Sequence, residues 1–299
     1  MTTAQSSMEG VASKVVSPVV GKSDTKPTWC PGCGDYGVVA AVERALKTLA
    51  IPSHEVLIVS GIGCSSNLPH FLSSYGFHAI HGRAIPVASG AKLANHALTV
   101  IATGGDGDGY GIGGGHFIHA MRRNLDITYI VMNNEIYGLT TGQASPTSEM
   151  GHKTKSTPLG VIEHPINPIA LALASGATYV SRGFSGDPKH LGDLIANGIK
   201  HRGFSLVDVF SPCVTYNKLN TFDFFRQRLY KLEGSAHDPS NLVAAFERSQ
   251  EWGAKIPIGL FYSADRPTYE ELEPALKAGP LVHQPAGLQG RERLLDEFI

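Results

Sequence analysis

The chain has 299 residues, 42% of them hydrophobic and 17% charged, and a formal net charge of −1. That describes a globular protein with room for one large α/β domain or two modest ones. It excludes the basic footprint of a nucleic-acid binder, and the longest apolar runs fall far short of the roughly 20 residues that span a bilayer.

Taken in chain order, residues 1–25 read as a flexible lead-in without the compact apolar run of a signal peptide. A Pro-Gly-Cys-Gly turn then precedes helical spacing over 35–50. Glu55–Ser60 is a short apolar run ending at glycine, the mark of a buried strand. A helix is predicted over 86–97, a strand over 98–103 that runs into a glycine-rich loop, a helix over 113–124 and a strand over 127–132. A long loop follows to about residue 165. Next come a helix near 167–175, a strand near 177–181, a helix near 188–201 and a strand over 205–210. Short continuous strands separated by helices predict an α/β fold, a parallel sheet covered by helices on both faces. Past residue 220 the texture turns aromatic and basic, with a helix expected over 241–252 and a strand over 257–262. The expected organisation is a cofactor-binding domain over 26–220 and a C-terminal extension over 221–299.

In such sheets ligands collect beyond the carboxyl ends of the strands. The loops after Ser60, Thr103, Met132 and Phe210 are therefore expected to converge on one rim. Two of them carry Gly105-Asp106-Gly107 and Asn133-Asn134. A diphosphate needs a hard cation, and Mg²⁺ prefers octahedral oxygen ligands. Asp106 offers a carboxylate and Asn134 an amide oxygen, while the glycines let backbone N–H groups approach phosphate. Singly each motif is a commonplace turn; paired at successive strand ends they resemble the GDG…NN signature of thiamine-diphosphate (TPP) enzymes.

The four cysteines are Cys30, Cys33, Cys64 and Cys213. Four thiols with no leader sequence point to a reducing, cytoplasmic setting, where CxxC binds metal more often than it forms a disulfide. Four thiolates suit zinc or a [4Fe–4S] cluster. One close pair joined by two distant singles favours the cluster, although Cys64 and Cys213 taken alone read equally as small buried hydrophobes.

The string GGDGDGYGIGGG followed by NNEIYGLTTGQ closely resembles the β subunits of 2-oxoacid:ferredoxin oxidoreductases, and the resemblance runs over roughly residues 25–230 in the same motif order. It implies that all four cysteines bind one [4Fe–4S] cluster, and that the Ile136 carbonyl joins Asp106 and Asn134 on Mg²⁺. It implies TPP contacts from Ile62, Gly63, Cys64 and Ser65, from His81, Gly82, Arg83 and Ala84, from Gly105 and Gly107, and from Gly138 and Leu139. Asp108 is expected to support its loop. His81 and Arg83 are candidate catalytic groups, with a packed histidine and an ordinary ion pair as the plainer readings. Thr141 is another, since some broad-specificity relatives carry Lys at its position. Asn67, His70, Lys153 and Lys155 are weaker candidates.

The implied reaction converts a 2-oxoacid, CoA and oxidised ferredoxin to acyl-CoA, CO₂ and reduced ferredoxin. On the likeness of GQASPTSEMGHKTKSTPLG the expected substrate is 2-oxoglutarate, with pyruvate and branched-chain 2-oxoacids as alternatives. The chain offers no second TPP-type domain to activate the cofactor's pyrimidine, so the resemblance implies an α subunit that supplies this and most CoA contacts, in an α₂β₂ assembly that passes electrons to ferredoxin. The rivals are a non-redox TPP decarboxylase or synthase subunit with structural zinc, and a non-enzymatic metal scaffold.

Overall fold

The computed structural model describes residues 18–285. Helix α1 (Asp35–Leu49) turns Val38, Ala41, Val42, Ala45 and Leu46 inward, the three- and four-residue spacing that the sequence predicts. It stops at Ala50, whose φ of 52° lets its N–H reach the carbonyls of Leu46 and Lys47. Strands β1 (Val56–Ser60) and β2 (Tyr75–His78) follow, then α2 (Ala84–Ala94), β3 (Thr99–Gly105), α3 (Gly114–Arg123) and β4 (Thr128–Asn133). After the long loop come α4 (Pro168–Ala174), β5 (Tyr179–Phe184), α5 (Pro188–Lys200) and β6 (Ser205–Phe210). Asn167 and Asp187 cap α4 and α5, each accepting a backbone N–H of the first turn at 3.1 Å, with proline at the first helical position.

The eight strands form one sheet in the order β2-β1-β3-β4-β6-β5-β8-β7. The six strands up to β6 are mutually parallel. Successive strand residues point to opposite faces, and both faces are covered. Val59, Ala102, Tyr129, Val131 and Leu206 pack under α2, α3 and α4. Ile58, Ile101, Ile130, Met132 and Val207 pack under α1 and α5. From β1 the chain runs outward to β2, then crosses back to lay β3 on the other side of β1. The loops leaving β1 and β3 therefore diverge and open a crevice at the carboxyl rim.

The segment past residue 220 forms α6 (Phe222–Arg226), β7 (Leu229–Lys231), α7 (Leu242–Ser249), β8 (Ile256–Ser263) and α8 (Tyr269–Leu272). β8 pairs antiparallel with β5, shifting register between Val180 and Ser181, and β7 pairs parallel with β8. A separate aromatic cluster seals the junction, with Phe210 and Phe225 stacked at 4.3 Å.

Several elements were not foreseen, α6, β7 and α8 among them. β2 is exposed along its whole length, so it lacks the apolar run that marks a buried strand. Residues 64–71 coil into a 3₁₀ run despite Pro69, and 107–112 form a π-helical turn in the glycine-rich loop. The predicted strand near 177–181 lies at Tyr179–Phe184. The expected lead-in and extension extend beyond the described residues at 1–17 and 286–299. No described helix is long and apolar enough to cross a membrane.

Candidate active site

The motif after β3 and the motif after β4 meet. Asp106 is buried, and its Oδ2 accepts hydrogen bonds from Ser145 Oγ at 2.5 Å and Thr147 Oγ1 at 2.6 Å. Burial pushes its carboxyl above the usual carboxylate range; those hydroxyls and the amides of Asp106 and Asn134 pull the other way. A carboxylate held in so dry a place is suited to a cation. Asn134 folds its Oδ1 onto the amide of Ile136 at 3.1 Å, a turn made possible by Glu135 at φ 57°. Tyr137 ties the two loops together by donating to the carbonyl of Gly107 at 3.2 Å. The donor set therefore fits Mg²⁺: one carboxylate, one amide oxygen and a backbone carbonyl along a single cleft.

The loops after β1 and β2 are tied to the same place by Asp108. Its Oδ1 accepts from the amides of Ile62 and Gly82 at 3.0 and 2.8 Å and stands 2.7 Å from His81 Nδ1. Ile62–Ser65, His81, Gly105–Gly107, Asn134, Ile136, Gly138 and Leu139 all line the cleft, as the sequence reading expects. Gly82, Arg83 and Ala84 do not line it: Gly82 braces Asp108, Arg83 caps α2 and Ala84 begins that helix. Thr141 is exposed at φ 75° on the rim, its amide donating to the Gly138 carbonyl, and it too stands off the lining. Lys153 and Lys155 are exposed, and Asn67 and His70 lie in the 3₁₀ run. The cleft encloses about 120 Å³, well under the roughly 300–1,000 Å³ of a complete small-molecule pocket.

The thiols gather at the edge of this cleft. Cys30-Pro31-Gly32-Cys33 is a tight turn, closed by Cys33 N on Cys30 O at 3.0 Å, with Gly32 in the left-handed region at φ 82°. Gly34 N donates to Pro212 O at 3.1 Å, which sets the turn against the loop carrying Cys213. Trp29 Nε1 donates to the Cys64 carbonyl at 2.7 Å and holds that loop beside the turn. A methyl group added at Gly138 would stand 3.5 Å from Cys213 Sγ, 3.6 Å from Asn134 Nδ2 and 3.7 Å from Cys64 Sγ. Burial, then the nearby Asp35 carboxyl and the other thiols, pushes the Cys64 thiol up to about 12 and Cys33 higher still. Crowded thiols of this kind ionise only against a compensating positive charge, which is what a metal group provides. Among the described residues, no three Cys, His, Asp or Glu side chains close on one ion.

Four participants escaped the sequence reading. Asp35 lines the cleft, accepts from Ser211 Oγ at 2.6 Å and is pushed up to about 6, chiefly by burial. Ser145 and Thr147 come from the middle of the long loop, and Tyr137 from its start. An unbroken CPGCGD string was a visible signal for Asp35; nothing local marks a serine that reaches back to a carboxylate.

Residues 53–209 match the thiamine pyrophosphate enzyme family of C-terminal TPP-binding domains. Residues 213–278 match the family of C-terminal regions of the pyruvate ferredoxin oxidoreductase beta chain. A 2-oxoacid:ferredoxin oxidoreductase subunit beta from Saccharolobus solfataricus is 46% identical over 280 residues, covering 88% of this chain and 92% of that protein. The chain belongs to the 2-oxoacid:ferredoxin oxidoreductase β subunits. This β subunit is also 46% identical over 205 residues to the 2-oxoglutarate oxidoreductase subunit KorB of Mycobacterium tuberculosis, covering 69% of the chain and 55% of that relative. Among solved structures, a 2-oxoglutarate:ferredoxin oxidoreductase from Magnetococcus marinus, with 2-oxoglutarate, coenzyme A and succinyl-CoA bound, matches it with a TM-score of 0.85 at 43% identity. That match covers 92% of this β subunit and 93% of that chain. The expected α/β TPP-binding fold and oxidoreductase class are borne out, and a β subunit implies a partner subunit.

Proposed function

We propose that this β subunit serves the CoA-dependent oxidative decarboxylation of 2-oxoglutarate, with electrons leaving through one [4Fe–4S] cluster to ferredoxin. The observation that carries the reading is the meeting at Gly138, where sulfurs of Cys64 and Cys213 and the amide of Asn134 lie within 3.7 Å of one point. A magnesium–diphosphate loop and a thiol set so close together suit a cofactor that must hand electrons to a metal relay.

In this reading Asp106, Asn134 and the Ile136 carbonyl hold Mg²⁺ against the diphosphate. Gly105, Gly107 and the 62–65 and 138–139 loops contact the cofactor, and Cys30, Cys33, Cys64 and Cys213 hold the cluster. Bound TPP supplies the carbon nucleophile and electron sink that amino acids lack, and the cluster supplies one-electron transfer. The chain's own residues position, exclude water and manage protons. Asp108 fixes the His81 ring so that Nε2 remains to exchange a proton at the cleft. Zinc is the weaker alternative, because structural zinc sites usually present two close CxxC pairs, whereas here one close pair is joined by two distant single cysteines.

Substrate charge points outward to a partner. Three carboxyl groups, Asp35, Asp106 and Asp108, line the cleft with His81, and no Lys or Arg does among the described residues. A dianionic 2-oxoacid needs cations, so the α subunit supplies them together with the pyrimidine-activating group, completing an α₂β₂ enzyme of the cytoplasm. Residues 26–220 form the cofactor-binding unit, and 221–299 an extension that packs on it or on the partner.

The test is coexpression with the partner subunit and CoA-dependent reduction of ferredoxin across 2-oxoglutarate, pyruvate and branched-chain 2-oxoacids. A brown anaerobic protein with an EPR signal on reduction and highest kcat/KM for 2-oxoglutarate is expected. Colourless protein with stoichiometric zinc sinks the relay, and faster turnover of pyruvate sinks the substrate assignment.

A further inference from the structure

Beneath the two diphosphate loops lies a carboxylate outside the cleft lining. Asp208, on β6, is fully buried and stands opposite Arg182 of β5 in the register of the two parallel strands. Arg182 Nε donates to its Oδ2 at 2.9 Å. Its Oδ1 accepts from Tyr110 Oη at 2.9 Å and from Asn133 Nδ2 at 3.3 Å. Tyr110 belongs to the π-helical turn that continues Gly105-Asp106-Gly107, and Asn133 immediately precedes Asn134. One oxygen on a third strand therefore holds both loops at once.

The connection runs on to Asp106. With its Nδ2 committed to Asp208, Asn133 presents Oδ1 to Thr147 Oγ1 at 3.0 Å, and the same hydroxyl lies 2.6 Å from Asp106 Oδ2. Arg182, Asp208, Tyr110, Asn133, Thr147 and Asp106 are all buried. A buried ion pair returns little net stability, because desolvation offsets the attraction, and apolar side chains of like volume fill such a place at least as well. What the pair supplies is geometry. A carboxylate accepts several donors in fixed directions, whereas an amide in its place offers a single acceptor oxygen.

We propose that Asp208, anchored by Arg182, is a positioning residue that sets the spacing between the Asp106 and Asn134 loops and thereby the affinity of the magnesium–diphosphate site. The inference rests on the cofactor reading above and adds to it a determinant that touches no ligand.

The experiment is calorimetric titration of TPP, at fixed Mg²⁺, into the enzyme assembled with its partner subunit and stripped of cofactor by a chelator. Tyr110→Phe removes one donor from Asp208 and leaves the ion pair, while Asp208→Asn removes the charge. Tyr179→Phe is the control: it deletes an equally buried phenol that donates elsewhere, to the Leu194 carbonyl at 2.9 Å. The TPP dissociation constant is expected to rise about tenfold in D208N, as when a metal ligand loses an outer partner, and severalfold in Y110F. It should not move in Y179F, although both phenylalanine variants lose a buried hydrogen bond. Y110F/D208N should bind no more weakly than D208N, because the tyrosine acts through the carboxylate. Y110F keeps the test open if D208N fails to fold. Parent-like affinity in Y110F, an equal weakening in Y179F, or fully additive losses in the double variant overturns the proposal. A parent enzyme that takes up no TPP overturns the cofactor reading and this inference with it.

Discussion

His81 holds its Nδ1 2.7 Å from Oδ1 of Asp108, an oxygen that already accepts two backbone amides. A carboxylate oxygen only accepts, so the ring donates from Nδ1 and turns Nε2 away from Asp108. Asp108→Asn keeps a neutral Oδ1 for the amides and the ring but removes the negative charge that holds the ring in place. We expect kcat to fall roughly 10- to 100-fold, the usual cost of losing an orienting partner, with TPP content near that of the parent enzyme. Steady-state kinetics beside cofactor quantitation checks this; unchanged kcat would dismiss the orienting role.

In the proposed reading Asp106 is the carboxylate that holds the cation against the diphosphate. Asp106→Ala should abolish TPP retention through gel filtration, and a chelator should strip the cofactor from the parent enzyme, with Mg²⁺ restoring it. Ser145→Ala removes a buried hydrogen bond to that carboxyl and should cost about 1–3 kcal/mol of stability. Denaturant unfolding measures the loss, and a midpoint equal to the parent's would mean the hydroxyl is dispensable.

The thiols make a separable prediction. Cys64→Ser and Cys213→Ser should each lose the EPR signal and the CoA-dependent reduction of ferredoxin while TPP still binds. Retention of a normal cluster signal in either variant would remove that residue from the ligand set.

His201 predicts how stability responds to mild acid. Its Nε2 lies 2.8 Å from Thr178 Oγ1, and burial lowers its pKa below the ordinary 6.5 despite Asp265 and Asp126. The unfolded chain then binds a proton more readily than the folded one. The stabilisation is therefore complete above 6.5 and is lost as pH falls from there through the depressed folded value. His201→Gln should flatten the Tm-against-pH curve in that window; an unaltered slope would assign it to other groups.

Much of this was legible because periodicity and strand-end chemistry are local. Strand β6 has the predicted bounds, and the motifs at Gly105–Gly107 and Asn133–Asn134 meet because parallel strands deliver their ends to one rim. What was hidden is long-range. The exposed β2 buries nothing and so leaves no hydrophobic mark. Arg83 and Thr141 stand in the expected motifs but off the cleft lining, Arg83 at the start of α2 and Thr141 on the exposed rim, placements that depend on backbone direction. Ser145 and Thr147 matter only because a long loop folds back onto Asp106. Strand order, including the placing of β8 beside β5, lies beyond local pattern altogether.

That last pairing bears on how the protein comes into being. Every group at the cleft and the thiol rim has left the ribosome by Cys213, but β5 has an open flank until Ile256–Ser263 emerges to cover it. An open strand flank invites other chains. Nascent polypeptides stalled between those two points would therefore carry all the chemistry and still be prone to clump, so the final third of translation guards solubility rather than reactivity.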